Sequence, residues 1–375
     1  MRIQTRQNAL NTSCLNIITK NFLLGLTKAV GGEFYFNLSD VRKNYGSLEH
    51  FINGQTSYKN YGFFAGGSYA IKWILRDLKT RLKTATLLLP SYLCQSIITA
   101  VESEGVNFEF YTVDKELNLN LDEINARLQK PDVVLYLINY FGFGQKDSTL
   151  QLVKKAKEKY NTLVIEDDVQ SCFSSKKPYG DYLFNSFKKW HSVDGSIVFS
   201  NFKLPEITVY DLSYLRYRKA TRSYRYLQQE LGLPVEQLYL DSVENASKEY
   251  LKPELFGMHG NDKKRFNQIN LERQKSIRRK NFYHLLEALG SIALYKEIPQ
   301  HVVPFSFPVT ISNRNHKRTE LFKENIYCPI HWNTPVLLKN KYPESELLSD
   351  SVLSIPINKT LTSETIGTLS KILLS

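Results

Sequence analysis

Leu163-Val164-Ile165-Glu166-Asp167-Asp168-Val169-Gln170 is the stretch on which the fold turns: a short apolar run that ends abruptly in three acids. A continuous apolar run bounded by polar residues reads as a strand buried on both faces. The same pattern recurs upstream. Residues 86–89 form an apolar run closed by Pro90, residues 106–112 read as a strand, and 132–140 (DVVLYLINY) read as another buried one. Helical patterns lie between these runs. Residues 68–83 carry Ala70, Ile71, Ile74, Leu75 and Leu78 at helical spacing, and 93–104 read the same way. Asn120 with Glu123 gives an N-cap and a capping-box-like start for a helix that ends near Gln129. Residues 147–159 form a lysine-rich amphipathic helix. Alternating strands and helices with apolar strands imply an α/β fold: a mostly parallel sheet with helices on both faces. Ligands on such sheets sit at the carboxyl ends of the strands.

Beyond about residue 200 helices dominate, through 278–289 (RRKNFYHLLEAL). Short strands follow around 305–311 and 326–329, then a final helix from Ser363. This gives an N-terminal extension over 1–30, a large α/β domain over 31–240 and a small α+β domain over 241–375. A chain of 375 residues is long enough for two cores, since single cores stop growing at roughly 250–300 residues. Residues 1–30 are basic and broken by Lys20 and Lys28, short of the ~18–20 apolar residues of a spanning helix. They read as an extension or amphipathic helix, with no membrane span expected.

The four cysteines, Cys14, Cys94, Cys172 and Cys328, are far apart and form no CxxC pair. No metal site is expected from them, and a reduced, cytoplasmic setting fits. The net charge of +12 implies a surface that attracts anions. Its most basic part, residues 215–226 (LRYRKATRSYRY), reads as a solvated helix face with tyrosines packing inward. No helix-turn-helix, RNP or zinc-finger pattern accompanies it, so nucleic acid is not the expected partner.

Four segments could carry chemistry. Gly66-Gly67-Ser68 opens the helix at 68–83, where glycines admit close approach and free N–H groups suit a phosphate. Pro90-Ser91-Tyr92-Leu93-Cys94 ends a strand with an aromatic placed to stack on a planar ligand. The acids at 166–168 follow a buried strand, where a carboxylate could hold a protonated pyridine nitrogen. Ser186-Phe187-Lys188-Lys189-Trp190 precedes the turn Asp194-Gly195 and a strand, the arrangement of a lysine that carries pyridoxal 5′-phosphate (PLP).

In this order the segments resemble the DegT/DnrJ/StrS sugar aminotransferases, which are fold-type I PLP enzymes. Ala65-Gly66-Gly67-Ser68-Tyr69-Ala70 stands where that family has SGTSAL, and Val164 to Gln170 where it has VIEDAAQ. A polysaccharide-cluster branch with an SLRKW-like lysine motif is closer still. It is matched by Gly31-Gly32-Glu33-Phe34, Pro90 to Cys94, Asn139-Tyr140-Phe141-Gly142 and Ser186 to Trp190. Residues 326–332 (IYCPIHW) and Ser354-Ile355-Pro356-Ile357 continue the likeness.

The resemblance implies that Lys189 is the Schiff-base lysine, with Lys188 the alternative. It implies Asp167 against the pyridine nitrogen, Gln170 beside the ring, and Gly66, Gly67, Ser68 and Ser186 around the phosphate. Tyr92 would stack on the ring, although Cys94 occupies the place where relatives often carry an aromatic. Arg314 and His331 are candidate substrate contacts. The implied activity is amination of a keto-sugar, nucleotide-linked, with glutamate as donor, by a homodimer. The alternative is a PLP-fold protein without transaminase activity that serves as a binding or assembly subunit.

Three departures from the family pattern stand out. Only four residues separate Lys189 from Asp194, Ser196 replaces a turn glycine, and Gly260-Asn261 to Arg265 echoes a usual motif only faintly.

Overall fold

The computed structural model describes residues 29–35, 43–55, 57–175, 177–204, 207, 212–249 and 252–375. Most of the predicted N-terminal extension, with Cys14, lies outside the described residues. Seven strands form the main sheet: β2 (Asn60–Phe64), β3 (Thr86–Pro90), β4 (Asn107–Tyr111), β5 (Val133–Ile138), β6 (Val164–Asp167), β7 (Tyr182–Phe184) and β8 (Ser196–Ser200). Their spatial order is β2-β8-β7-β6-β5-β3-β4. Strands β7, β6, β5, β3 and β4 pair in parallel, and only β8 runs against its two neighbours. The expected mostly parallel sheet is therefore present.

Alternation along the strands explains why both faces are covered. Tyr182, Phe184 and Val198 join the core beneath helices Gly67–Arg81 and Gln95–Ser103. Their neighbours Leu183, Ile197 and Phe199 point to the other face and pack with Leu48, Phe51, Phe266 and Leu271. Helix Leu121–Leu128 begins as read from sequence, with the Asn120 side chain accepting from the Glu123 N–H at 3.1 Å. The Glu123 carboxylate does not reach back to Asn120. It accepts instead from the Thr112 N–H at 2.9 Å and so ties the helix start to the end of β4.

A second core gathers Phe282, Leu285 and Leu289 of helix Leu271–Leu289 with β9 (Phe307–Thr310), β11 (Val352–Ile355) and helix Ser363–Leu374. β9 and β11 are antiparallel. The short strand β1 (Val30–Gly31) pairs in parallel with β10 (Ile326–Tyr327), and Val30 lies in this second core. The beginning of the described chain is thus built into the small lobe. Among the described residues no helix is long and apolar enough to cross a membrane.

The basic stretch at 215–226 corrects its sequence reading. In helix Leu212–Leu231 the buried face is Tyr214, Arg218, Thr221, Arg222 and Arg225, while the tyrosines at 217, 224 and 226 are only half-buried. Arg218 and Arg222 point inward because acids from distant parts of the chain meet them there, and Arg225 lies against the Gln228 side chain and the Tyr239 and Tyr327 rings.

The Asn139-Tyr140-Phe141-Gly142 turn joins the two lobes. Gly142 has φ +104, and a Cβ on it would collide with the Val303 carbonyl oxygen and stand 2.9 Å from the Pro304 Cα. The Phe141 carbonyl accepts from the Phe305 N–H at 2.8 Å, and the Ser174 hydroxyl donates to the Gly142 carbonyl at 2.7 Å. Gly142→Ala combines positive φ with a backbone collision, and should cost about 2–3 kcal/mol or more in urea denaturation. Gly105→Ala, at φ +63 with nothing near its Cβ, should cost only about 1 kcal/mol. Equal losses would show that the turn yields freely.

Candidate active site

Strands β5, β6 and β7 end side by side, with Ile138 opposite Asp167 and Asp167 opposite Phe184. Three acids follow one another at this edge, and their surroundings separate them. Glu166, fully buried, accepts from Asn139 Nδ2 at 3.1 Å and from the N–H groups of Tyr179 and Gly180 at 3.1 and 3.2 Å. It is occupied in shaping the loop before β7. Asp168 accepts from Asn139 Nδ2 at 2.8 Å and from the Ser171 hydroxyl. Asp167 accepts from the Tyr136 hydroxyl at 2.6 Å through Oδ2 and from the Val169 N–H at 2.9 Å through Oδ1. Burial, and then the charge of Asp167, push the Tyr136 hydroxyl well above its ordinary pKa, so it stays a donor. Asp167 is thus a carboxylate fixed in place at the end of the central strands.

Gln170 is held similarly, its Oε1 accepting from the Phe141 N–H at 2.9 Å. Ser186 lies just past β7 and faces the start of helix Gly67–Arg81. A Cβ on Gly67 would stand 3.3 Å from Ser186 Cβ and 3.4 Å from the Asn185 carbonyl oxygen. The helix opens at Gly66 with extended backbone and no side-chain cap. Uncapped N–H groups at a helix start, beside a serine, form a cradle for a phosphate.

Residues Phe187–Lys189 form one 3-10 turn, closed by the Lys189 N–H donating to the Ser186 carbonyl at 3.2 Å. The Phe187 N–H donates to the Gly195 carbonyl at 2.9 Å, which closes the loop on itself. Gly195 has φ +139, and a Cβ there would stand 2.6 Å from Met258 Sδ, so this turn requires glycine. Trp190 Nε1 donates to the Val169 carbonyl at 2.8 Å and fastens the lysine loop to the acid loop.

Asp194 anchors the far end of the lysine loop. Its Oδ1 meets Arg218 Nε at 2.9 Å and its Oδ2 meets Arg222 Nη2 at 2.5 Å, with all three side chains buried. Arg218 also pairs with Glu33, and Arg222 Nη1 stands 3.7 Å from Asp262 Oδ1. Burial pushes Asp194 up, but Arg222, Arg218 and Lys188 outweigh it and hold the carboxyl below its usual range. The Gly260-Asn261 to Arg265 echo has its place here, since Asp262 completes the cluster.

Lys188 and Lys189 open on a cavity of about 350 Å³ whose other walls are residues 31–34 and the small lobe; Gly66, Gly67, Ser68, Asp167, Gln170 and Ser186 do not line it. Glu33, Phe34, Arg278, Ser306, Arg318, His331 and Ser354 also line it. Lys189 keeps solvent access through the cavity while protein atoms enclose it. That enclosure, then the charge of Lys188, lowers its pKa, with Cys94 and Glu33 opposing.

The structure sorts the remaining sequence candidates. His331 lines the cavity, bonded through Nδ1 to the Ser354 hydroxyl at 2.8 Å. Arg314 does not line it; its Nη1 donates to the Val352 carbonyl at 3.2 Å inside the small lobe. Tyr92 is 1 % exposed and packs against Tyr140 and Trp332, with ring centroids 5.6 and 5.5 Å away, so its ring is part of an aromatic cluster. Cys94 is half-buried and acts on Lys189 through space. Sequence reasoning missed Arg278 and Arg318. Their only signal was position, each lying one or two turns into a helix of the small lobe.

By sequence alone the chain matches no family model and no curated protein. Its structure is similar to solved aminotransferases. A DegT DnrJ EryC1 StrS aminotransferase from Brucella abortus superposes with a TM-score of 0.60 at 15% identity, over 99% of this chain and 97% of that one. The sugar aminotransferase CalS13 from Micromonospora echinospora gives 0.62 at 14% identity, over 92% and 98%. Spr1654 from Streptococcus pneumoniae in its PMP form gives 0.62 at 12% identity, over 96% and 94%, and is also known in a PLP form. These likenesses show that the fold is that of the DegT/DnrJ/EryC1/StrS aminotransferases.

His331 is pushed down to about 3 by burial and then by the charge of Lys189. Its folded pKa lies below that of the unfolded chain, so the unfolded state takes up the proton first and stability falls as pH drops below about 6.5. Between pH 7 and 5 this one residue should remove about 2 kcal/mol. Urea denaturation at both values should show a smaller loss in His331→Asn than in the natural chain. Equal losses would mean that His331 is already solvated.

Proposed function

We propose that this chain is a PLP-dependent aminotransferase that places an amino group on a keto-sugar. The observation that carries the reading is the meeting of three features at one sheet edge. They are an uncapped helix start against Ser186, a lysine loop beginning at that serine, and Asp167 held at the end of the neighbouring strand. The residues suit the cofactor chemically. When bound, PLP supplies an electron sink through which an amino group leaves one carbon and arrives on another.

In this reading the N–H groups of Gly67 and Ser68, with the Ser186 hydroxyl, bind the phosphate. Asp167 accepts from the protonated pyridine nitrogen while Tyr136 and the Val169 N–H keep its carboxylate oriented. Gln170, fixed by Phe141, borders the phenolic side of the ring. Cys94 faces the ring space with Tyr92 behind it in the aromatic cluster. Lys189 Nζ would move the proton that leaves the donor's α-carbon. Its lowered pKa eases giving that proton up again. His331 contacts substrate across the cavity. Glutamate is the donor and a nucleotide-linked keto-sugar the acceptor, in cytoplasmic surface-polysaccharide synthesis. A homodimer belongs to the reading, closed two-fold assembly being the commonest outcome for soluble oligomers.

Purified protein loaded with PLP should show a visible absorbance band that glutamate bleaches and a nucleotide-linked keto-sugar restores. Asp167→Asn should keep the fold but slow the bleaching about 10-fold or more, because an amide loses a charge-assisted bond contributing about 1.5–3 kcal/mol. Restoration by simple keto acids alone would point to a general amino-acid aminotransferase. A band that no donor bleaches would favour the binding-subunit reading.

A further inference from the structure

Two arginines buried beside the lysine loop, Arg218 and Arg222, are met by acids: Asp194, Glu33 and Asp262. Two arginines on the cavity are treated differently. Arg278, from helix Leu271–Leu289, is 4 % exposed and rests over the Trp190 ring at 4.5 Å. Its Nη1 donates to the Phe305 carbonyl at 2.7 Å and reaches the Pro304 carbonyl at 3.5 Å. Arg318, from helix Arg314–Lys323, donates through Nε to the Cys328 carbonyl at 2.9 Å and lies over the Phe322 ring at 4.3 Å. Among the described residues neither forms an ion pair with an acidic side chain, and burial is the main influence on both charges. Both side chains are therefore braced by carbonyls and an aromatic ring, with their charge left uncompensated.

A third group belongs with them. Ser306 is 4 % exposed and lines the same cavity, and its Oγ is buried without a hydrogen-bond partner. Orphaned buried hydroxyls are uncommon and call for a partner from outside the chain. Uncompensated buried guanidinium groups do so more strongly, because burying an unpaired charge is costly.

We infer that Arg278, Arg318 and Ser306 form a subsite for an oxyanion group of the substrate, in the cavity that Lys189 also lines. The forked guanidinium matches the planar two-oxygen edge of a carboxylate and also binds phosphate. In an aminotransferase such an oxyanion comes from the carboxylate of the donor amino acid or from the phosphates of a nucleotide-linked acceptor. The assignment of the anion to a substrate rests on the function proposed above; the anion site itself does not. Arg278 is also tied to the packing of Trp190, so a loss of fold in Arg278→Gln would not bear on the subsite. Arg318, half-buried, and Ser306 supply the cleaner variants.

The test is calorimetric titration of the full chain, with and without PLP, using glutarate and inorganic pyrophosphate as unreactive probes. The natural chain should bind at least one of them. Arg318→Gln should weaken that binding about 10-fold or more and Ser306→Ala a few-fold, with thermal melts verifying the fold. Preferential loss of glutarate binding assigns the subsite to the donor carboxylate, and preferential loss of pyrophosphate binding to the acceptor's phosphates. Binding unchanged in both variants, or no binding of either probe to the natural chain, overturns the inference. Probe binding without any uptake of PLP would retain the subsite and remove the aminotransferase reading, so the two failures are distinguishable.

Discussion

The pairing of Asp194 with Arg218 and Arg222 is the constraint on which the arrangement of this molecule depends. It ties the end of the lysine loop to helix Leu212–Leu231, and through Glu33 and Asp262 it reaches the first described residues and helix Gly260–Asn267. Burying five charged groups together is expensive in desolvation, and such clusters are weak evidence for stability as such. Removing one partner from an assembled cluster is another matter, typically costing about 3–5 kcal/mol, because the remaining charge is stranded. The cluster therefore acts as a lock. The loop that carries Lys188 and Lys189 has one permitted place, with Ser186 at one end against the helix start and Asp194 at the other among the arginines.

That lock also changes the meaning of the charge balance. A net charge of +12 suggests a basic surface, yet two of the arginines in the most basic stretch, Arg218 and Arg222, face inward and are neutralised by acids from elsewhere in the chain. Arg278 and Arg318, which form no ion pair with an acid among the described residues, line the same cavity as Lys189. Positive charge in a recess bordered by protein attracts anions more effectively than the same charge spread over a surface.

Much of the sheet was legible because β3, β5 and β6 are buried on both faces and therefore written as unbroken apolar runs. β7 has only three residues, and β2 carries half-exposed Tyr61 at the sheet's edge, so neither leaves a pattern long enough to read. The segments singled out for chemistry do fall at a helix start and at strand ends, because glycines, a strand-end acid and a lysine before Asp-Gly occupy positions with special backbone needs. The direction of helix Leu212–Leu231 was not. Tyr214, Arg218, Arg222 and Arg225 do follow helical spacing, but arginine is normally exposed, and the acids that draw it inward lie from 24 to 185 positions away in sequence. The same limit hid Arg278 and Arg318, whose significance lies in the partner they lack, and it left Tyr92 facing a cleft that its aromatic neighbours fill.

The central claim is that the loop locked by Asp194 presents Lys189 to a PLP molecule seated on the start of helix Gly67–Arg81. The most direct test is borohydride reduction of the PLP-loaded protein followed by peptide mass mapping. A single pyridoxyl group on Lys189 is the predicted result. Modification of Lys188 alone would move the reactive amine by one residue within the same loop. Modification scattered over surface lysines, or none, would contradict the account.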